Sequence, residues 1–262
     1  MLTVERVESY DDAWDFVEKA LKKSGIKKDK AVIKPNFVKF DDPSKGCITH
    51  PEVVKAAASF FDEPIIVEGG VTSDAADRCY DEFGLRRWKC VNINTERKVK
   101  VRIGGKALKD VEVGESALLT KELPYISLPK MKVHSLAKIT VGIKNNMGFL
   151  KKPAMYMHFN IHQKLLDLLS FFKPDFVIVD GVIGGEGSEL NTKPVKHGIM
   201  IASDDVALVD YVAAYLMGFD PEEIDYVRIA AKGRKVDLEK YEDLRKEYRI
   251  SFLGRLMGAL RI

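Results

Sequence analysis

Between Leu123 and Leu166 the chain contains no aspartate and no glutamate, although 39 of its 262 residues are acidic. The same stretch holds seven lysines and three of the five histidines. A solvated face mixes both signs of charge, so a one-signed run of lysine and imidazole donors, interleaved with glycine and β-branched residues, predicts a wall built around an anion. Cysteine is also scarce. Cys47, Cys79 and Cys90 are odd in number and widely spaced, which matches neither a disulfide framework nor a thiolate metal site. An iron–sulfur cluster within this chain is thereby excluded, and a reducing cytoplasm is the expected location. No apolar run approaches a membrane span, and the charged start Met1–Arg6 is not expected to act as a signal peptide. The net charge of +3 is too small to advertise general nucleic-acid binding. Gln163 is the sole glutamine among many lysines and glutamates, a composition that resembles hyperthermophile proteins.

What is present reads as alternating strands and helices. A helix-period segment from Asp11 to Ser24 precedes an apolar run, Ala31–Val38, bounded by charge and broken by Pro35. Thr49 or His50 then caps a helix that begins at Pro51, where a missing N–H costs nothing. A short strand ending at Glu68 runs through Gly69 and Gly70 into a helix capped by Ser73. Parallel-strand signals return at Tyr125–Leu128 and Asp175–Asp180, and Val206–Leu216 is a strongly apolar helix capped by Ser203. These alternations predict an α/β fold, a mostly parallel sheet with helices on both faces. Residues 90–120, with alternating Lys98–Ile103 and then Gly104 and Gly105, predict an antiparallel ribbon inserted near that sheet. No repeat or low-complexity linker interrupts the chain, so residues 1–262 are read as one domain, with a two-lobed arrangement left open.

Ligands of open α/β sheets sit outside the carboxyl ends of the strands, and four such ends can be read. They are Lys34–Asn36, Glu68–Gly70, Lys130–His134, and Asp180 running into the glycine-rich Gly184–Gly187. Their convergence would give one site. Lys34, Asn36, Lys130, Lys132, Asn145 and Gly148 are expected to hold a small anionic molecule, and Asp180 and Glu186 to orient a metal or a lysine. His134 is expected to transfer a proton, with burial and neighbouring lysines keeping it neutral as a general base. Lys144, beside Gly142 and Gly148, is well placed to reach a phosphate or carboxylate. Glu68 reads either as a metal or base position or as the salt-bridge partner of a lysine. His158 and His162 are four apart, the spacing of a two-ligand metal face on a helix, or equally of two ordinary surface histidines.

Several of these segments carry a family resemblance. Ile33–Asn36, Thr49–Val54, Leu128–His134, Gly142–Asn145, Met147–Gly148, Val179–Gly181, Glu186–Gly187 and Ala202–Asp205 resemble, in order and spacing, the prokaryotic family called domain of unknown function 362. The family supplies a fold and motif positions but no established reaction. Its members are often joined to ferredoxin-like modules; this chain lacks the cysteines and resembles the stand-alone form, which implies at most a separate iron–sulfur protein as partner. The stretch from Lys132 through His134 and Lys144 to His158 is also similar to part of the nickel-pincer lactate racemases. That likeness implies His134 as acid/base residue, Lys144 as cofactor anchor and His158 as nickel ligand.

The leading expectation is an enzyme acting on a small anionic substrate or phosphorylated cofactor, with a divalent metal as the cofactor the histidines would take. Two other classes stay open: a binding module without turnover, and single-stranded nucleic-acid binding with Phe149, Tyr156 and Phe159 as stacking surfaces. The last residues, Ser251–Ile262, are apolar with two arginines and read as a tail folded onto the domain or a dimer interface, or as a membrane-surface helix.

Overall fold

The structure is a computed structural model and describes residues 1–151, 153 and 156–252. Its parallel frame consists of β2 (Lys30–Pro35), β3 (Glu63–Glu68), β4 (Lys89–Asn92), β7 (Tyr125–Leu128) and β10 (Phe176–Gly187), in the order β10-β7-β2-β3-β4. Beyond β10, β11 (Thr192–Ser203) returns antiparallel, and β1 (Leu2–Arg6) closes that side by pairing antiparallel with β11. Pro129 ends β7, because proline has no N–H to give the ladder, while its carbonyl accepts the Asp180 N–H at 3.0 Å. The chain resumes as β8 (Lys130–His134), parallel to β10, and folds back on β9 (Lys138–Thr140).

Strands with apolar residues at every position are buried on both faces, and here successive residues feed two cores. Val32, Val67, Val177 and Ile201 face one core with α5 (Ile161–Phe171), α6 (Val206–Leu216) and α7 (Asp225–Ala231). Ile33, Ile66, Ile178 and Met200 face the other, against α1 (Tyr10–Ser24), α2 (Pro51–Phe60) and α3 (Ala75–Glu82). This is the mixed α/β architecture with helices on both faces of a mostly parallel sheet. The ribbon is a separate antiparallel pair, β5 (Lys98–Arg102) and β6 (Asp110–Gly114), whereas Lys89–Asn92 joins the main sheet. Among the described residues no helix is long and apolar enough to cross a membrane.

Local chemistry corrects four expectations. Gly184–Gly187 is strand, not turn: β10 runs on through it, pairing Gly184 with Val195 and Glu186 with Lys193. The glycines serve a close approach, since a Cβ on Gly46 would collide with the Gly184 carbonyl, and Gly46 itself lies at φ 69. The cap of α6 is Asp205, which accepts from Ala207 and Leu208, while Ser203 accepts the Asp205 N–H at 3.0 Å. Asp74, without a side-chain cap bond, precedes α3 in place of Ser73. His158 lies before α5, because Asn160 turns left-handed at φ 54 and the helix starts at Ile161; His158 and His162 therefore share no helical face. Of the apolar tail, residues 253–262 lie outside the described residues.

Candidate functional site

The carboxyl ends of β2 and β3 hold a buried ion pair. Lys34 Nζ lies 2.7 Å from Glu68 Oε1, and neither side chain is more than 2% exposed. Glu68 also accepts N–H groups from Gly69 and Phe37 at 2.8 and 3.0 Å, so its oxygens are engaged. Burial pulls the lysine below its ordinary range and Glu68 opposes this. Gly148 passes close by, and a Cβ there would collide with Glu68 Oε1. Asn145 donates to the Lys34 carbonyl and to Ser127 Oγ at 3.1 and 3.0 Å, and accepts from Asn36 Nδ2 at 3.3 Å.

A second pair ties β8 to β10. Lys130 Nζ is 2.8 Å from Asp180 Oδ2, both fully buried. The same carboxylate accepts the His50 N–H at 2.8 Å and the Tyr10 hydroxyl at 3.2 Å, which pins the starts of α1 and α2. The Tyr10 ring stacks on His50 at 3.5 Å. Burial pushes His50 down to about 4, with Asp180 opposing, so this imidazole is neutral at pH 7. Completed in this way, the group acts as a clamp between layers.

The third group differs. Residues 130, 132 and 134 alternate along one face of β8, as strand period dictates. Lys132 Nζ donates to the carbonyls of Cys47 and Glu189 at 2.7 and 3.0 Å. His134 Nδ1 accepts N–H groups from Leu136 and Ala137, each at 3.1 Å, which leaves the proton of the neutral ring on Nε2. That nitrogen faces Glu189 Oε1 at 4.0 Å, and the ring of His158 lies 6.3 Å away. Burial, then the charge of Lys144, holds His134 well below the usual imidazole value. Neutrality agrees with the sequence reading, but the tautomer corrects the role: with Nδ1 occupied and Nε2 protonated, His134 presents a donor and not a base.

Lys144, on the short α4 (Gly142–Asn145), is half-buried, and its side chain makes no hydrogen bond or ion pair among the described residues. Burial pulls it down to about 7, Lys132 adds to the effect and Glu189 opposes it. Its turn is fixed from α6: the fully buried Asp210 accepts the N–H groups of Gly142 and Ile143 at 2.7 and 3.1 Å.

Not every expected residue joins this group. Glu186 accepts the Arg249 N–H at 3.0 Å, and the carboxylate that faces His134 and acts on Lys144 through its charge is Glu189, at the tip of the β10–β11 hairpin. Glu189 is anchored by Ser135 Oγ at 2.7 Å; burial pushes it up, but the Ser135 bonds and Lys144 hold it below the ordinary range. Among the described residues no three or more His, Cys, Asp or Glu side chains are grouped to hold a metal ion, so Glu68, His158 and His162 form no ligand set. His162 lies beside Tyr226, ring centroids 5.8 Å apart. Phe149 is buried 5.4 Å from Tyr125, which removes it as a stacking surface for bases. Besides Glu189, the sequence reading missed Asp210 and Thr140. Thr140 pairs with Lys132 across β8–β9, and that register only the folded ribbon reveals. Two grooves lie elsewhere: one of about 510 Å³ at the amino ends of β2, β3 and β4, lined by Lys30, Glu63 and Trp88, and one of about 240 Å³ beside β6, at Glu112 and Tyr156.

Two comparisons with known proteins bear on identity. The thylakoid-associated protein sll1697 of Synechocystis sp. is 28% identical over 213 residues, an alignment that covers 75% of this chain and 65% of the relative. Neither comparison carries the likeness to lactate racemases, and the anchor and nickel-ligand roles it implied are not taken further. The model of a domain of unknown function, DUF362, matches residues 31–215, well over half of the chain, which therefore belongs to that family.

Proposed function

We propose that this protein is an enzyme that binds a small anionic molecule at Lys132, His134, Lys144 and Glu189, with Lys144 as the group that meets the ligand. The carrying observation is the contrast among the lysines. Lys34 and Lys130 are closed into ion pairs and Lys132 is held by two carbonyls, whereas Lys144 has no such partner among the described residues and keeps partial access to solvent. A half-buried lysine drawn down towards neutrality is a functional-site signature with a physical cause. The Nε2–H of His134 adds a neutral donor. Free Cys47, Cys79 and Cys90 support a reducing compartment, and the cytoplasm remains the location we propose.

Thermal unfolding with phosphate, sulfate and small carboxylates tests the reading. A ligand that binds only the folded state raises the melting temperature by mass action, and Lys144→Met should lose most of the rise. Equal stabilisation of both proteins would remove Lys144 from the site. Steep salt dependence with single-stranded oligonucleotides would favour nucleic-acid binding instead.

A further inference from the structure

One orphan polar atom lies on the segment that carries Lys144, and a second lies on the β2 end that meets this segment at Asn145. Thr140, four residues before it and only 3% exposed, has an Oγ1 without a hydrogen-bond partner. Facing residues of paired strands project to the same side, so its register with Lys132 puts this hydroxyl on the face of the lysines. Asn36 Oδ1 is also buried and unpartnered, although Asn36 Nδ2 reaches Asn145, the residue after Lys144. Buried polar atoms are nearly always satisfied, and leaving one bare costs roughly 1–3 kcal/mol. The bare set is one donor, one acceptor and one amine. A fully deprotonated oxyanion such as sulfate satisfies the donor and leaves Asn36 bare.

We infer that Lys144 forms a Schiff base with a small acid that carries a carbonyl group, the carboxylate meeting Thr140 and Lys132 and the carbonyl-derived hydroxyl meeting Asn36. This deepens the anion-site reading and rests on it. The neutral amine adds its lone pair to the carbonyl carbon, the C=O electron pair moves to oxygen, and a proton passes from nitrogen to that oxygen. The resulting carbinolamine hydroxyl can donate to Asn36 Oδ1. The C–O bond then breaks as the nitrogen lone pair forms C=N, and oxygen leaves as water with the proton that the nitrogen gives up, so that a neutral imine remains and nothing is oxidised or reduced. A lysine beside another cation in a desolvated site is an activated nucleophile of this kind. Its depressed titration supports the amine being neutral at working pH.

The test is reductive trapping on the full chain with sodium borohydride and pyruvate, glyoxylate or acetaldehyde, read by intact mass and peptide mapping. Expected is one reduced adduct on Lys144, a trapping rate that rises with a midpoint near pH 7 rather than near 10.5, and no adduct in Lys144→Arg. Thr140→Val should slow trapping by pyruvate several-fold and leave acetaldehyde, which lacks the carboxylate, unchanged. Absence of an adduct, an adduct spread over surface lysines, or the same adduct in Lys144→Arg overturns the inference. Should Lys144→Arg not fold, mapping of the wild-type adduct decides alone. Lys144-dependent stabilisation by phosphate without trapping would sink the carbonyl class and leave the anion site standing; loss of both sinks both.

Discussion

At the residue scale the molecule treats chemically identical side chains in opposite ways. Lys34 and Lys130 are charge-paired and dry, so removing one partner strands the other. Lys34→Met should cost about 3–5 kcal/mol in denaturant unfolding, while Lys34→Met combined with Glu68→Gln should recover part of that loss, because no bare charge remains and the amide keeps an acceptor for the Gly69 and Phe37 N–H groups. Lys144 gives a pH signature of the other sign. Its folded value is about 7 against 10.5 for a free lysine, so within that window the unfolded chain holds a proton that the folded chain has lost. Stability should therefore rise from pH 7 towards 10.5, and the rise should flatten in Lys144→Met. Equal slopes for the two proteins would show that the amine titrates normally. The acid-free window pointed to where cations gather. It did not reveal that Asp180, distant in sequence, pairs with Lys130, or that Glu68 pairs with Lys34 outside that window, since such pairing depends on strand order and leaves no local period to read.

Among the elements, α4 is the least autonomous. Four residues cannot sustain a helix alone, because nucleation fixes several residues for a single hydrogen bond. Asp210 on α6 supplies what the turn lacks. Asp210→Ala leaves two buried N–H groups without an acceptor and should cost about 1–3 kcal/mol for each, with a larger loss of ligand response than equally destabilising changes elsewhere. Asp210 is pushed up to about 7 by burial, although the two N–H groups oppose this. Its stabilising contribution is accordingly complete below pH 3.8 and lost as pH rises through about 7, a dependence absent in Asp210→Asn. Gly142 admits no substitute easily: a Cβ would lie 2.6 Å from Val206 Cγ2 and 3.0 Å from Asp210 Oδ1. The helices α1 and α6 were legible from their apolar pattern and α2 from its cap and Pro51, because those signals are local. The carboxylate at the hairpin tip was not. Gly184–Gly187 has the composition of a turn, and only the pairing with β11 shows that the strand continues to Gly187 and carries Glu189 to His134.

Across the whole molecule the first and later strands share one sheet: Leu2–Arg6 pairs with Ile199–Ser203, and the Met1 ammonium meets Asp204. One cooperative unfolding transition, with coincident fluorescence and circular dichroism curves, is therefore expected of a single domain. Deleting residues 1–6 would bare the edge of β11 and should produce aggregation visible by light scattering. The inward placement of the cations also bears on kinetics. Seen from a Debye length away, Lys34 and Lys130 are halves of neutral pairs and Lys144 is only partly charged near neutral pH, so these three lysines project little far field. Anions are consequently not drawn in from solution, and their capture should proceed at an unsteered association rate that changes little with ionic strength, leaving discrimination among them to how long each one stays.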